Sequence, residues 1–258
     1  MIMCKSTHHT DRKIVIKLGG STLEGLNEQF YQKIKLLQEE GFQIVITHGG
    51  GPAINRSLEK LSIPSKIIDG LRVTTDDMIG IVQKTLIGEV NPYVVAQLNA
   101  ANIPAIGLNG FDGGLLKGHY LNKDVYGHVG EATKVNVKVV EQLLQLDIVP
   151  VIACIGVTEH FEPLNINGDT VACQVAKAIQ AESLLLVTDV SGIRINDEYQ
   201  TMVTEEEIDQ WIAEGDIYGG MIPKVKGALQ CLNAGIPSVQ IVGETLKGTI
   251  ITQGELVS

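Results

Sequence analysis

Short apolar runs rich in β-branched residues alternate with longer stretches in which apolar residues recur at helical spacing. The first run, residues 14–16, has the length and composition of a buried strand and ends at two glycines. Phe30, Ile34 and Leu37 then recur at helical spacing. A second apolar run, residues 43–47, again ends at glycines. The beginning of the chain therefore predicts two successive units, each made of a strand, a glycine turn and a helix.

The same alternation continues to the end of the chain. Residues 75–101 predict a long helix that Pro92 kinks or splits, and glycine-punctuated alternation between residues 110 and 137 predicts small antiparallel hairpins. Strands alternating with helices are typical of an α/β fold with a mostly parallel sheet that helices cover on both faces. The further predicted strands are residues 103–108, 149–155, 184–187, 238–242 and 249–252.

The composition fits one large α/β chain. Its 258 residues are 44% hydrophobic, enough to fill such a core. The 20 Lys and Arg residues against 30 Asp and Glu residues give a net charge of −10, which disfavours binding to nucleic acid or to an anionic membrane. No apolar stretch approaches the ~18 residues of a transmembrane helix. The four cysteines form no Cys-x-x-Cys pair, so we expect free thiols and a cytoplasmic protein.

The glycines that end the first two strands are candidates for a phosphate site. The sequence contains neither Gly-x-x-x-x-Gly-Lys-Ser/Thr nor a Gly-x-Gly-x-x-Gly after a strand. Gly19 and Gly20 follow the first strand, and Gly49 and Gly50 follow the second. Because the carboxyl ends of parallel strands meet at one edge of a sheet, we expect these turns side by side, where their amides can hold an anion. The alternative is that the glycines only permit tight turns.

Two lysines are placed where a phosphoryl group needs positive charge. Lys17 stands at the carboxyl end of the first strand, and Lys224 stands near a helix start behind Gly219 and Gly220. Transfer of a phosphoryl group to an anionic acceptor brings like charges together, so its catalyst must supply cations and fixed donors. A lysine at a helix start is unfavourable to the helix and points to a ligand, although exposed lysines are the commonest surface feature.

Several polar residues are candidate partners of these lysines or of a substrate. Asp169 begins a helix, where it either caps the helix or pairs with both lysines. Arg72, with Asn165 and Asn167, suits a small carboxylate because a guanidinium grips a carboxylate bidentately, but Arg72 could also anchor its loop. His48 is the best-placed general base, yet its position favours packing or hydrogen bonding. A carboxylate acceptor, ionised at neutral pH, needs no base.

These motifs, taken in order, resemble the amino-acid kinase family over nearly the whole chain from Lys13 onward. They are Lys17-Leu18-Gly19-Gly20, His48-Gly49-Gly50-Gly51, Gly70-Leu71-Arg72-Val73-Thr74, Asn165-Ile166-Asn167-Gly168-Asp169, Asp189-Val190-Ser191-Gly192 and residues 219–224. The third motif points to the branch that phosphorylates N-acetyl-L-glutamate. The resemblance implies an open three-layer αβα sandwich. In it, residues 1–165 form an amino-terminal lobe for N-acetyl-L-glutamate and dimerisation, and residues 166–258 form a carboxyl-terminal lobe for MgATP.

The resemblance also implies roles for individual residues. Lys17 and Lys224 match lysines that stabilise the transferring phosphoryl group, and Asp169 matches the aspartate that organises them. The positions that match substrate-binding residues are Gly49, Gly50, Arg72 and Asn165. The positions expected to bind ATP are Gly19 and Gly20 of the phosphate turn with Asp189, Val190, Ser191, Gly192, Ile193, Arg194, Asp216, Ile217 and Tyr218. Mg²⁺ is expected to be held mainly by the ATP phosphates rather than by protein ligands.

The implied reaction is ATP-dependent phosphorylation of the side-chain carboxylate of N-acetyl-L-glutamate, the second step of arginine biosynthesis. The alternatives are another kinase of this fold, such as glutamate 5-kinase, aspartokinase, carbamate kinase or uridylate kinase, or a catalytically silent metabolite-binding protein. The sequence departs from the family at Gly168, where alanine is common. Because arginine-inhibited members look longer at the amino terminus, we expect a homodimer that arginine does not inhibit.

Overall fold

The computed structural model describes residues 12–20, 22–23 and 25–253. Cys4 and the amino-terminal residues on which the expected arginine insensitivity rests lie outside the described residues. The strands are β1 Lys13–Leu18, β2 Gln43–His48, β3 Ile67–Ile68, β4 Leu71–Arg72, β5 Ala105–Leu108, β6 Leu116–Tyr120, β7 Val129–Val135, β8 Val149–Ala153, β9 Ile155–Val157, β10 Pro163–Ile166, β11 Ser183–Val187, β12 Arg194–Ile195, β13 Glu198–Tyr199, β14 Met202–Thr204, β15 Ser238–Val242 and β16 Gly248–Thr252. The helices are α1 Glu28–Glu39, α2 Gly51–Lys60, α3 Asp76–Thr85, α4 Asn91–Ala100, α5 Lys123–Tyr126, α6 Val137–Leu144, α7 Gly168–Ala178, α8 Glu205–Glu214 and α9 Met221–Asn233.

An eight-stranded sheet with the order β14-β16-β15-β11-β1-β2-β8-β5 forms the centre of the fold. Its neighbouring strands run parallel except for β15 and β16. Side chains alternate across the sheet. Ile14 and Ile16 pack in the core shared with α1 to α4, whereas Val15 packs in the core shared with α6 to α9. The predicted three-layer αβα sandwich with a mostly parallel sheet is confirmed.

The carboxyl ends of β1, β2 and β11 meet at one edge of this sheet. Leu18 at the end of β1 lies opposite His48 of β2 on one side and Val187 of β11 on the other. The chain leaves these three strands at Gly19, Gly49 and Thr188. This edge is where open α/β sheets collect their ligands.

The predicted hairpins near residues 110–137 belong to a small closed barrel. β6 and β7 pair antiparallel, as predicted. β9 and β10 complete the barrel, with β10 parallel to β7 and β9 parallel to β6. A two-stranded hairpin is only marginally stable alone, and Leu164 of β10 supplies a fully buried side chain that covers its apolar face.

The long predicted helix is split just before Pro92. α3 and α4 are joined by one turn of π-helix, Leu86–Val90. The irregular turn lies directly before the proline, which lacks an N–H to donate. It turns Leu86 and Val90 towards Gly50, where a Cβ atom would lie 2.5 Å from Leu86 Cδ2. Within the described residues, no helix has the length and apolar character that a membrane span requires.

Candidate active site

Lys17 and Asp169 form an ion pair where β1 ends and α7 begins. Lys17 Nζ lies 2.9 Å from Asp169 Oδ1, and the lysine side chain is only 16% exposed. Asn167 caps α7, because its side-chain oxygen accepts the backbone N–H groups of Asp169 and Thr170. Asn167, expected as a contact to substrate, thus has a structural role that holds Asp169 in the first turn of α7.

Lys224 pairs with Asp189, which follows β11. Lys224 Nζ lies 2.5 Å from Asp189 Oδ1, and this hydrogen bond lowers the pKa of the Asp189 carboxyl below its ordinary value. Asp169 therefore neither caps α7, which Asn167 does, nor pairs with both lysines, because each lysine has its own carboxylate. The reason is the start of α9 at Met221, which puts Lys224 in its first turn, within reach of the end of β11.

Both ion pairs line one cavity of about 270 Å³, called the phosphate pocket below. Its charged groups are two ammonium groups and two carboxylates, and the glycine turn after β1 forms another part of the wall. Glycine amides beside paired cations suit an anion that replaces a carboxylate on a lysine. The remaining lining residues are Gly19, Gly20, Leu186, Val187, Thr188 and Ile241.

The two predicted glycine turns lie against each other. A Cβ atom at Gly20 would lie 2.9 Å from Gly51 N and 2.7 Å from Pro52 Cδ. No real side chain tolerates both contacts, so the close approach of the turns requires glycine at this position. The turns after β1 and β2 are therefore neighbours, as the parallel topology predicted.

A second cavity of about 200 Å³, the acceptor pocket, lies beside the second glycine turn. Gly49, Gly50, Arg72 and Asn165, the residues that the sequence assigned to a substrate, all line it. Burial lowers the pKa of the Arg72 guanidinium from its ordinary value, which still leaves it the natural partner of a carboxylate. The remaining lining residues are Gly51, Ile54, Ile67, Gly70, Leu71, Leu86, Val129, Cys154, Ile166, Asn167 and Gly168.

Arg72 and Asn165 are tied together through Thr74. Asn165 Nδ2 donates to Thr74 Oγ1 at 2.9 Å, and Thr74 Oγ1 donates to the Arg72 carbonyl at 2.9 Å. The Arg72 guanidinium donates to Ser65 Oγ and, at 3.4 Å, to the Gly51 carbonyl. Arg72 therefore anchors its loop and lines the acceptor pocket at the same time, so the two interpretations of this arginine are compatible.

Gly168 stands where the two pockets meet. A Cβ atom on Gly168 would lie 3.4 Å from Lys17 Cε, 3.5 Å from Cys154 Sγ and 3.8 Å from Gly49 Cα. Lys17 belongs to the phosphate pocket, whereas Cys154 and Gly49 belong to the acceptor pocket. A methyl group on Gly168 would therefore contact both pockets, which makes the two pockets neighbours at this point.

His48 is a neutral, buried histidine rather than a general base. Burial lowers its pKa to about 4. Nδ1 lies 2.8 Å from the Gly49 carbonyl, and Nε2 lies 2.9 Å from Asn91 Nδ2. Because a carbonyl only accepts, Nδ1 carries the proton and Nε2 accepts from the Asn91 amide. His48 thus braces the glycine turn, which agrees with the hydrogen-bonding interpretation.

Only part of the segments expected to bind the nucleotide lines the phosphate pocket. Asp189 lines the phosphate pocket. Ile193 and Ile217 are buried in the core, so only their backbone atoms can face a ligand. Tyr218 is 75% exposed. The other expected positions, Val190, Ser191, Gly192, Arg194 and Asp216, lie outside the lining of the phosphate pocket.

Sequence reasoning missed two lining residues whose side chains carry a hydroxyl or thiol group. Thr188 follows β11 in the phosphate pocket, and Cys154 follows β8 in the acceptor pocket. Both come directly after the carboxyl end of a parallel strand, which was a usable signal. Cys154 donates to the His48 carbonyl, and burial raises the pKa of its thiol to about 12. Cys154 is therefore a neutral packing residue.

Comparison with known proteins gives one consistent relationship. Residues 12–243 match the Amino acid kinase family. The chain is 45% identical over 229 residues to an acetylglutamate kinase of Halalkalibacterium halodurans, covering 89% of this chain and 88% of that one. It is 42% identical over 251 residues to an acetylglutamate kinase of Bacillus pumilus, covering 94% and 97%.

The structure also has a similar solved relative. The Streptococcus mutans UA159 protein smu.665 is 36% identical and superimposes with a TM-score of 0.86, covering 95% of this chain and 100% of that one. The relationship therefore extends through both pockets described above.

Proposed function

The chain belongs to the amino acid kinase family, and we propose that it phosphorylates the side-chain carboxylate of N-acetyl-L-glutamate with ATP, in arginine biosynthesis. The observation that carries this activity is the meeting of a two-lysine phosphate pocket with an arginine-lined acceptor pocket at Gly168. The first pocket suits a transferring phosphoryl group, and the second suits a small dicarboxylic acid. The relatives that the chain matches over most of their length are acetylglutamate kinases.

The proposed reaction needs positioning and charge neutralisation. An oxygen of the acceptor carboxylate forms a bond to the γ-phosphorus of ATP, and the bond from that phosphorus to the bridging oxygen breaks. The products are an acyl phosphate and ADP. The carboxylate is already ionised at neutral pH, so no proton has to be removed. Lys17 and Lys224 neutralise the charge that gathers on the phosphoryl oxygens.

Lys224 exchanges its partner in this scheme. The ammonium group now bound by Asp189 is the one nearest the end of β11, where the sequence resemblance puts ATP. Phosphate oxygens compete with the Asp189 carboxylate for that ammonium group. Lys17 keeps Asp169, which holds the ammonium group at the junction beside Gly168.

The acceptor is held by groups of the amino-terminal part of the chain. The Arg72 guanidinium takes the α-carboxylate of N-acetyl-L-glutamate, and Asn165 supplies a further polar contact. The amides of Gly49 and Gly50 lie beside the side-chain carboxylate that reacts. Residues 1–165 then form the acceptor lobe and residues 166–258 the ATP lobe of one continuous domain.

Mg²⁺ fits this site as an ion carried by ATP. Within the described ranges, no group of three or more His, Cys, Asp or Glu side chains is arranged to hold a metal ion. Asp169 and Asp189, the carboxylates of the phosphate pocket, each bind a lysine. Mg²⁺ commonly takes most of its oxygens from phosphates and water. It would neutralise phosphate charge here, and the Asp189 carboxylate, which Lys224 releases in this scheme, would be available as an additional oxygen ligand.

The protein acts as a cytoplasmic homodimer in this proposal. β5 is an edge strand of the central sheet, and the groove beside it is lined by Ile106, Leu143 and Leu146. Ile106 is 42% exposed and Leu146 is 68% exposed, which suits pairing with a second copy. Light scattering should give a dimer that Ile106→Lys converts to a monomer. Free Cys154, Cys173 and Cys231 fit a reducing compartment.

Hydroxylamine trapping tests the proposed reaction, because it converts an acyl phosphate to a hydroxamate whose ferric complex is coloured. The unaltered chain is incubated with MgATP and, separately, N-acetyl-L-glutamate, L-glutamate, L-aspartate and N-acetyl-L-aspartate. Hydroxamate confined to N-acetyl-L-glutamate supports the proposal. Hydroxamate with another acid alone assigns the chain to another branch of the fold. Ligand binding without ADP formation favours a silent binding protein.

A further inference from the structure

A histidine outside both pockets is connected by hydrogen bonds to residues that line the acceptor pocket. His128 precedes β7 in the barrel, and its Nε2 atom lies 2.6 Å from Oδ1 of Asp76, the first residue of α3. The histidine side chain is 13% exposed and the aspartate side chain is 92% exposed. Neither residue lines the phosphate pocket or the acceptor pocket.

The backbone of residues 126–128 forms hydrogen bonds with both the N–H and the carbonyl of Thr74. Thr74 N donates to the Tyr126 carbonyl at 3.0 Å, and His128 N donates to the Thr74 carbonyl at 2.7 Å. Gly127 lies so close that a Cβ atom there would be 2.2 Å from the Thr74 carbonyl oxygen, and its φ is +66°. Glycine is therefore required at the point where the barrel meets this segment.

The backbone of His128 also holds Asn165, which lines the acceptor pocket with Arg72. Asn165 N donates to the His128 carbonyl at 2.8 Å, while Asn165 Nδ2 donates to Thr74 Oγ1 at 2.9 Å. Thr74 in turn donates to the Arg72 carbonyl. Hydrogen bonds thus connect Asp76 through His128, Asn165 and Thr74 to Arg72, and those among His128, Asn165 and Thr74 form a closed ring.

The hydrogen bond to Asp76 fixes the orientation of the His128 imidazole. Nδ1 of His128 is buried and has no hydrogen-bond partner among the described residues. The ring otherwise packs edge-on against Tyr120, with ring centroids 5.6 Å apart. Because Asp76 is ionised and only accepts, Nε2 must carry a proton and donate to it.

We propose that His128 is a positioning residue for the acceptor, which acts with Asp76 to hold Thr74 and thereby Arg72 and Asn165 in binding geometry. This inference rests on the proposed function, because it assigns these two residues to the affinity for the same acceptor. It predicts a selective effect: loss of the contact weakens acceptor binding, while ATP binding at Lys17 and Lys224 is unaffected.

The test measures KM for N-acetyl-L-glutamate, KM for ATP and kcat in Asp76→Ala. The carboxylate is exposed, so the fold should persist, and KM for the acceptor should rise about three- to fivefold, as an exposed ion pair allows. KM for ATP and kcat should stay within about twofold. Asp77→Ala is the matched control, because it removes a neighbouring acidic residue from the same first helical turn.

Variants at His128 test the role of the donor itself. His128→Gln keeps an N–H donor near the position of Nε2 and should keep the acceptor KM near that of the unaltered chain. His128→Leu fills a similar volume without a donor and should raise the acceptor KM as Asp76→Ala does. A double variant, Asp76→Ala with His128→Leu, should raise it no further, since both changes break the same contact.

The outcomes separate the two proposals. No hydroxamate from the unaltered chain with N-acetyl-L-glutamate overturns the proposed function, and this inference with it. Turnover by the unaltered chain with an unchanged acceptor KM in Asp76→Ala overturns the inference alone. The inference also fails if Asp77→Ala has the same effect, or if the acceptor and ATP constants rise together.

Discussion

The Lys17 ammonium and the Asp169 carboxylate lie 2.9 Å apart, the lysine at the end of a central strand and the aspartate at the start of a capped helix. Two rigid elements therefore set their separation, and only the last atoms of each side chain are free to adjust. Such placement suits a cation that stabilises the negative charge developing in the transition state, because the ammonium group is already in position.

Lys17→Ala is predicted to lower kcat at least about 100-fold, because it removes a fixed cation from the transferring phosphoryl group. Lys224→Ala should have a similar effect. Steady-state kinetics with hydroxamate detection measure both. Lys226→Ala, which removes an exposed lysine from the same helix as Lys224, is the control and should keep the original kcat. Near-normal turnover in either of the first two variants would show that the assigned lysine is not part of the reaction.

Arg72→Lys is predicted to raise KM for N-acetyl-L-glutamate by about tenfold or more and to leave KM for ATP unchanged. Lysine keeps the charge but cannot form the bidentate contact, and it loses the hydrogen bonds to Ser65 and Gly51. Initial rates with each substrate varied in turn separate the two constants. An increase confined to KM for ATP would contradict this prediction and assign Arg72 to ATP binding.

His48→Asn is predicted to flatten the dependence of stability on acidic pH. The pKa of His48 is about 4 in the folded chain and near 6.5 when unfolded, so the unfolded state binds more protons between these values. Its contribution is complete above pH 6.5 and is lost as the pH falls towards 4, amounting to about 2 kcal/mol by pH 5.

Urea unfolding at pH 7 and pH 5 measures this difference. The unaltered chain should lose more stability between the two pH values than His48→Asn does. His119→Asn, which changes an exposed histidine, should lose as much as the unaltered chain. Equal losses in all three proteins would mean that His48 titrates normally.

Gly168→Ala is predicted to raise the free energy of unfolding by about 0.4–1 kcal/mol. The new methyl group would make ordinary contacts of 3.4–3.8 Å and would restrict the unfolded chain. Gly118→Ala is the contrasting variant, because its Cβ atom would lie 2.0 Å from the Glu131 carbonyl oxygen. It should be destabilised by about 1–3 kcal/mol. Thermal unfolding of both variants measures these changes, and destabilisation by Gly168→Ala would contradict the described geometry.

Local patterns predicted most of the central sheet and its helices. β1 and β2 read as buried strands, and the spacing of Phe30, Ile34 and Leu37 located α1, because each pattern depends on neighbours in sequence. The pairing of β10 with β7 and of β9 with β6 was not predictable. It joins segments separated by at least one helix and two strands, and nothing local specifies such a register.

The candidate site was predictable to the same extent. Glycine turns at strand ends located both pockets, since the parallel topology brings those ends together. The partner of Lys224 was not predictable, because Asp169 and Asp189 both lie near strand ends and helix geometry decides between them. His128 and Asp76 gave no local signal, since they meet only through tertiary packing.

The position of β1 in the sheet has a consequence for how the chain folds. β1 is the first strand of the chain, yet it pairs on one side with β11, whose residues 183–187 are synthesised much later. A nascent chain that ends before β11 leaves one edge of this apolar strand uncovered, where it can associate with other chains. Folding must therefore close a long loop before the central sheet is complete, which favours slow, non-local folding over early assembly of the amino-terminal half.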